Sequence, residues 1–287
     1  CTGASIVFKC ENMQHGGAFK ARGACNAVLS LDDNVAKKGI VAHSSGNHAI
    51  AVARAATIRG IPASIVMPRN SMANKLSAVK SYGITPILCE PSATSRQETA
   101  DAVLAETGGT LIHPYDDVRT IAGQGTIALE LIEQVERLDT LIVPVGGGGM
   151  LAGCLLAAKA LLPKIQVIAA EPALADDAYR SLQSGKIEAP LRYDTVADGL
   201  RTPLGTLNFP IIRDLVDDII LVDESEIVRA TRTLLDVAKL VVEPSGATPL
   251  AALMQDAERF EGRDVGIVLS GGNLNLDNPP WSTGDNK

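Results

Sequence analysis

The sequence predicts an α/β fold in which parallel strands are covered by helices. Three observations carry this. Short β-branched runs alternate with longer stretches of helical period along the whole chain. The composition is 46% hydrophobic but only 3% aromatic, with 26 glycines and 15 prolines, as expected of regular elements joined by glycine-rich loops. The unusual residue clusters fall at joints where a strand-like run gives way to a helical one.

Taken in order, the strand candidates are Ser5–Lys9, Ile40–His43, Ala63–Met67, Pro86–Cys89, Thr110–His113, Leu141–Val145, Gln166–Ala170, Ile219–Val222 and Val265–Leu269. Each is a short apolar, β-branched run bounded by turn or charged residues. Helical patterns follow most of them, at Phe19–Leu31, Asn47–Arg59, Lys75–Tyr82, Thr94–Glu106, Gln124–Arg137, Met150–Leu162 and Glu224–Leu235. The chain has 287 residues, enough for one large unit or two smaller ones. No repeat, low-complexity tract or long polar linker separates two halves, so two domains would share an intimate interface.

The bulk chemistry excludes several classes. A net charge of −7 offers no positive field for a nucleic acid, and no basic stripe is interleaved with aromatics. The most apolar stretch, Val145 to Leu162, is interrupted by glycines and Lys159 and stops before Pro163, so no membrane span is predicted. Five scattered cysteines (Cys1, Cys10, Cys25, Cys89, Cys154) form neither a disulfide framework nor a metal pair, which fits a reducing, cytoplasmic setting. The chain opens at Cys1 and runs almost at once into a strand; a preceding portion is expected.

Four joints carry chemistry. At Gly16–Gly23 a glycine turn feeds a helix with Lys20 in its first turn beside Phe19. Such a lysine is ordinarily solvated, but partial desolvation would lower its pKa and make the amine a nucleophile. At His43–Ala49, Ser44, Ser45 and Asn47 could cap a helix; with the free N–H groups and helix dipole they could equally hold a carboxylate. At 143–150, Gly146, Gly147, Gly148 and Gly149 precede Met150 directly after an apolar strand. Four consecutive glycines let several N–H groups converge on one phosphate, although the run matches neither the dinucleotide fingerprint nor the P-loop. At 269–273, Ser270 ends a strand and could bond a buried ring nitrogen, or simply form a turn.

Together and in this order, GAFKARGA at 17–24, SSGNHA at 44–49, GGGGM at 146–150 and SGGN at 270–273 resemble the serine racemase and threonine dehydratase group of fold-type II pyridoxal-phosphate enzymes. The resemblance covers essentially the whole chain. It is greatest to the plant-type serine racemases, through HSSGNHA, Cys89–Ser92, Ile121–Thr126, Ala170–Pro172, Ala197–Arg201 and Val242–Gly246. It implies a tryptophan synthase β-like fold of two intimately packed three-layer α/β/α domains. Residues 1–38 and 117–287 would form the large cofactor domain and 39–116 a small mobile one.

The resemblance also implies roles. Lys20 would form the Schiff base with pyridoxal 5'-phosphate, Phe19 would pack on its ring, and Gly146 to Met150 would bind its phosphate. Asn47 would bond the ring hydroxyl, Ser270 the pyridine nitrogen, and Glu243 would lie near the ring. Ser44, Ser45, Asn47 and Arg96 would hold the carboxylate of a small amino acid, with Ser45 on the cofactor face opposite Lys20. Glu171, Asp177 and the carbonyl of Ala175 match the group's divalent-cation site, and an all-oxygen set suits Mg²⁺ or Ca²⁺. A homodimer and modulation by ATP are implied as well. The implied activity is interconversion of L- and D-serine with elimination to pyruvate and ammonia.

The sequence departs from animal serine racemases at Tyr115, where they carry asparagine, and at Ala18, which replaces a serine as in plant-like members. The first departure favours elimination and leaves ATP modulation open. Two alternatives stand beside this reading: a threonine or threo-3-hydroxyaspartate dehydratase, and a non-catalytic nucleotide-binding regulatory module that uses the glycine loop alone.

Overall fold

The structure is a computed structural model that describes residues 3–282. Its elements run β1 (Ser5–Lys9), α1 (Lys20–Leu29), α2 (Asp33–Ala36), β2 (Ile40–His43), α3 (Asn47–Arg59), β3 (Ala63–Pro68), α4 (Ala73–Ser81), β4 (Ile87–Cys89), α5 (Ala93–Thr107) and β5 (Thr110–Leu111). They continue with α6 (Val118–Gln134), β6 (Thr140–Pro144), α7 (Gly149–Leu161), β7 (Gln166–Pro172), α8 (Asp177–Ser184), α9 (Asn208–Leu215), β8 (Asp218–Val222), α10 (Glu224–Asp236), α11 (Pro244–Gln255) and β9 (Asp264–Val268).

The strands form two wholly parallel sheets, a five-stranded one ordered β1-β9-β6-β7-β8 and a four-stranded one ordered β4-β3-β2-β5. The second is built entirely from the stretch between Ile40 and Leu111, while the first takes strands from both sides of it. Within each sheet, side chains alternate between two apolar layers, as a period of two requires. On β6, Leu141 and Val143 pack in one core and Ile142 in the other. On β2, Ile40 and Ala42 face one layer and Val41 the opposite one. Both sheets are therefore covered on both faces, giving two three-layer α/β/α bodies as predicted.

All nine predicted strands form, within two residues at every end. β5 stops at Leu111 because His113 turns out of the strand, its Nδ1 accepting from the Asp116 N–H at 2.8 Å. α6 starts earlier than its period indicated. Asp117 caps it by accepting from the N–H groups of Arg119 and Thr120. Gly123 sits inside that helix because of close approach: a Cβ there would stand 2.7 Å from the Cα of Gly23, where α1 crosses.

α2, α8, α9 and α11 were not anticipated. The first three are four to eight residues long, and α11 contains Pro244, Gly246 and Pro249, which read as breakers. An interior proline costs a helix about 3 kcal/mol. Burial of every residue from Pro244 to Leu253 offsets it.

Cys10, Cys25, Cys89 and Cys154 are free thiols, and Cys1 lies outside the described residues. Among the described residues no helix is long and apolar enough to cross a membrane.

Candidate active site

The four chemically unusual joints converge on one cavity between the two sheets. Lys20 opens α1 there. Its Nζ donates to the Pro114 carbonyl at 2.6 Å and lies 4.9 Å from the centre of the Phe19 ring. Desolvation lowers its pKa to about 8, so an appreciable fraction of the amine is unprotonated near neutrality. The joint is tied to the 270–273 segment: the Phe19 N–H donates to the Ser270 carbonyl at 2.9 Å, and Ala18 bridges to Gly271. Ser270 itself is buried and lines the cavity.

β2 delivers Ser44 and Ser45 to the opposite wall. The N-cap of α3 is Gly46, with no side-chain cap. The Ser44 hydroxyl accepts from the Gly46 N–H at 3.1 Å. Ser45 is exposed and lines the cavity, and its hydroxyl has no hydrogen-bond partner among the described residues. The first turn of α3 therefore presents free N–H groups and the positive end of its dipole to the cavity, suited to a carboxylate.

Asn47 is held at both ends, its Nδ2 donating to Glu243 Oε1 at 2.7 Å and its Oδ1 accepting from Asn273 Nδ2 at 2.9 Å. Glu243 is buried. Burial and nearby Asp198 raise its pKa to about 7, while Lys75 and the Asn47 bond act in the opposite direction. His48, beneath this loop, is neutral: burial pushes its pKa down to about 3, and the contact of Nε2 with the Ile112 carbonyl at 2.8 Å makes that nitrogen the protonated one.

In the glycine loop, the Gly147 carbonyl accepts from Gly205 N and Asn208 Nδ2 and the Gly148 carbonyl from Ala152 N. With those carbonyls bound, the N–H groups of the loop and the N-terminus of α7 line the cavity. Gly148 has a left-handed φ of 85°, and a Cβ on Gly147 would stand 2.5 Å from the Tyr115 ring. Tyr115 in turn stacks edge-on with His113, and His113 with His43. Burial, Arg96 and His113 hold the His43 pKa down to about 4. Arg96, on α5, lines the same cavity and has no acidic partner among the described residues.

A phosphorylated pyridine aldehyde fits this cavity. The partly deprotonated Lys20 amine, an N–H-lined loop without side chains and the buried Ser270 hydroxyl supply the three kinds of contact it requires. Glu171, Ala175 and Asp177 lie apart, at the turn from β7 to α8. The Glu171 carboxylate accepts from the N–H groups of Ala178 and Tyr179 at 2.7 and 2.8 Å. Asp177 Oδ2 is buried without a partner. Burial raises Glu171 well above the usual carboxylate range and Asp177 to about 7. Among the described residues no three His, Cys, Asp or Glu side chains assemble for a metal. Two carboxylates with one orphaned oxygen fit a hard cation whose other ligands are a carbonyl and water.

His43, His113, Lys75, Asp198, Asn208 and Asn273 join the site without having been singled out in the sequence. His43 and Asn273 stand inside the HSSGNHA and SGGN motifs, which gave them no role of their own. Asp198 lies within the Ala197–Arg201 stretch, which gave it no role; Lys75 and Asn208 carry no local signal.

The family model described as "Pyridoxal-phosphate dependent enzyme" matches residues 1–271. A serine racemase of Arabidopsis thaliana is 52% identical, over 96% of this chain and 85% of its own length. A β-hydroxyaspartate dehydratase of Paracoccus denitrificans is 50% identical, over 98% of this chain and 89% of its own length. The structure of maize serine racemase superposes with a TM-score of 0.94 at 49% identity, covering 96% of this chain and 85% of that one. These findings lend no support to a non-catalytic nucleotide-binding module. From sequence, fold and cavity alike, the chain belongs to the pyridoxal-phosphate dependent enzymes.

Proposed function

We propose that the protein interconverts L- and D-serine and also eliminates water from serine, yielding pyruvate and ammonia. The observation that carries this reading is the pair of proton-handling groups in one cavity: the desolvated Lys20 amine, and a Ser45 hydroxyl committed neither to a cap nor to any other bond among the described residues. Racemisation needs a base on one face of the α-carbon and an acid on the other, whereas elimination from L-serine needs only one.

Pyridoxal phosphate, when bound, supplies the electron sink that makes the α-proton of an attached amino acid acidic. The chain's own residues do the rest. Gly146 to Met150 hold the phosphate, Phe19 packs on the ring, Asn47 bonds the ring hydroxyl with Glu243 behind it, and the neutral Ser270 hydroxyl meets the ring nitrogen. The N–H groups at the start of α3, the hydroxyls of Ser44 and Ser45 and the amide of Asn47 bind the substrate carboxylate, and Arg96 closes over it. Lys20 takes the proton from the α-carbon on its side and Ser45 returns one on the other. A serine hydroxyl is a weak base at its ordinary pKa, so its neighbours must activate it. The body spanning 39–116 moves against 1–38 and 117–287 to exclude water. Mg²⁺ or Ca²⁺ at Glu171, Asp177 and the Ala175 carbonyl stabilises the body carrying β7, and the molecule works as a homodimer.

A second reading, dehydration of threonine or threo-3-hydroxyaspartate, draws support from Tyr115 and from the Paracoccus relative. Product analysis of the purified protein tests both. D-serine and pyruvate forming together from L-serine is the expected result. Turnover of threonine or 3-hydroxyaspartate without D-serine formation would move the function to the second reading.

A further inference from the structure

Lys75 has no part in the chemistry above, yet it is 5% exposed and lines the cavity. Its neighbour on the same helix, Lys80, is exposed. The side chain runs into the cleft: Cδ and Nζ lie 3.0 and 3.1 Å from the point a Cβ on Gly46 would occupy, and Nζ donates to Asp198 Oδ2 at 3.3 Å. Asp198 opens a short 3-10 turn, Asp198–Leu200, on the other body. That turn backs the glycine loop, since Leu200 Cα lies 2.9 Å from where a Cβ on Gly146 would stand. It is also fixed to the Glu243 helix, because the Gly199 N–H donates to Ser245 Oγ at 2.9 Å. Lys75 thus joins the serine loop of one sheet to the back of the phosphate loop of the other.

Glu243 is buried and lines the same cavity as this pair, two residues before the Ser245 that holds the Asp198 turn. The charges acting on it are Lys75 from α4 and Asp198 from the turn, opposite in sign. From α3 it meets the neutral Asn47 amide, α11 places the neutral Ser245 near it, and the 270–273 segment contributes Gly271. Lys20 on α1 lines the same cavity. Asn47 Nδ2 donates to Glu243, and a carboxylate accepts that bond more strongly than a neutral acid. Because Asn273 already holds Asn47 Oδ1, the amide has no equivalent alternative when Glu243 takes up a proton.

We infer that Lys75 and Asp198 are positioning residues whose opposed charges decide whether Glu243 is a carboxylate, and that Glu243 thereby orients the Asn47 amide toward the cofactor ring. Lys75 favours the carboxylate, Asp198 disfavours it, and their contact across the cleft balances the two. The consequence for turnover rests on the function proposed above; the electrostatic coupling does not.

The test is a ¹³C-carboxyl titration of Glu243 in the glutamate-labelled holoenzyme, with Glu243→Gln identifying the signal, alongside pH profiles of kcat/KM for L-serine. Lys75→Met is expected to raise the Glu243 midpoint and Asp198→Asn to lower it, each by about one pH unit. Lys75→Arg should keep the wild-type midpoint. The acid limb of kcat/KM should move in the same opposite directions. If the pair merely braced the cleft, both substitutions would break one cross-link and shift every readout the same way. Shifts of like sign, or none, would overturn the inference, as would opposite midpoints with unmoved kcat/KM limbs. A wild-type holoenzyme that did not turn over serine would instead count against the proposed function, and the titration would still decide the coupling.

Discussion

At the scale of single residues, the site depends on what each side chain is prevented from doing. Lys20 is kept out of bulk water, which lowers its pKa to about 8 and prepares it both to bind an aldehyde and to move a proton. Lys20→Ala should abolish racemisation and elimination together, and assays with excess cofactor check this; retained turnover would remove Lys20 from its role. Gly147 is limited by the Tyr115 ring, 2.5 Å from any added Cβ. Gly147→Ala should weaken cofactor binding roughly tenfold, about 1.4 kcal/mol, and adding Tyr115→Ala should recover part of that, as cofactor titrations would show. The sequence displayed these residues well where a motif surrounded them. Lys75 was invisible, and Asp198 stood in the Ala197–Arg201 stretch without a role, because their meaning arises only when two distant segments meet across the cleft.

At the scale of elements, the central strands were legible because they are buried on both faces and read as short β-branched apolar runs, as β2 and β6 do. The helices were less so. α11 is studded with residues that destabilise isolated helices, and only burial from Pro244 to Leu253 makes it helical. The hydrophobic period places the start of α6 at Gln124, whereas the helix begins at Val118 behind the Asp117 cap. Gly123→Ala tests the close-packing explanation. Its Cβ would press on Gly23 Cα at 2.7 Å and on the Arg22 carbonyl at 2.8 Å, so it should destabilise the protein by about 1–3 kcal/mol in urea unfolding. Because α1 carries Lys20, kcat should fall as well. A variant as stable as wild type would show that α1 and α6 are not held by this contact.

At the scale of the whole molecule, two parallel sheets place their strand ends against one cavity, and a separate pair of buried carboxylates sits at the end of β7. Asp177 has its pKa raised from 3.8 to about 7 by burial, so the folded state keeps a proton that the unfolded chain releases near pH 4. Without a cation, its effect is therefore a loss of stability as pH rises from about 4 to about 7, complete above that. A divalent cation requires the carboxylate and offsets its desolvation. Mg²⁺ should accordingly raise Tm more at pH 8 than at pH 6, and Asp177→Asn should abolish the difference. Equal shifts at both pH values would contradict the cation site. The central claim, however, is that Lys20 and Ser45 divide the two faces of the α-carbon. Its most direct test is cofactor-loaded Ser45→Ala assayed for racemisation and elimination with both serine enantiomers. Interconversion and elimination from D-serine should be lost while much of the L-serine elimination survives; persistent racemisation, or a proportional decline of every activity, would contradict it.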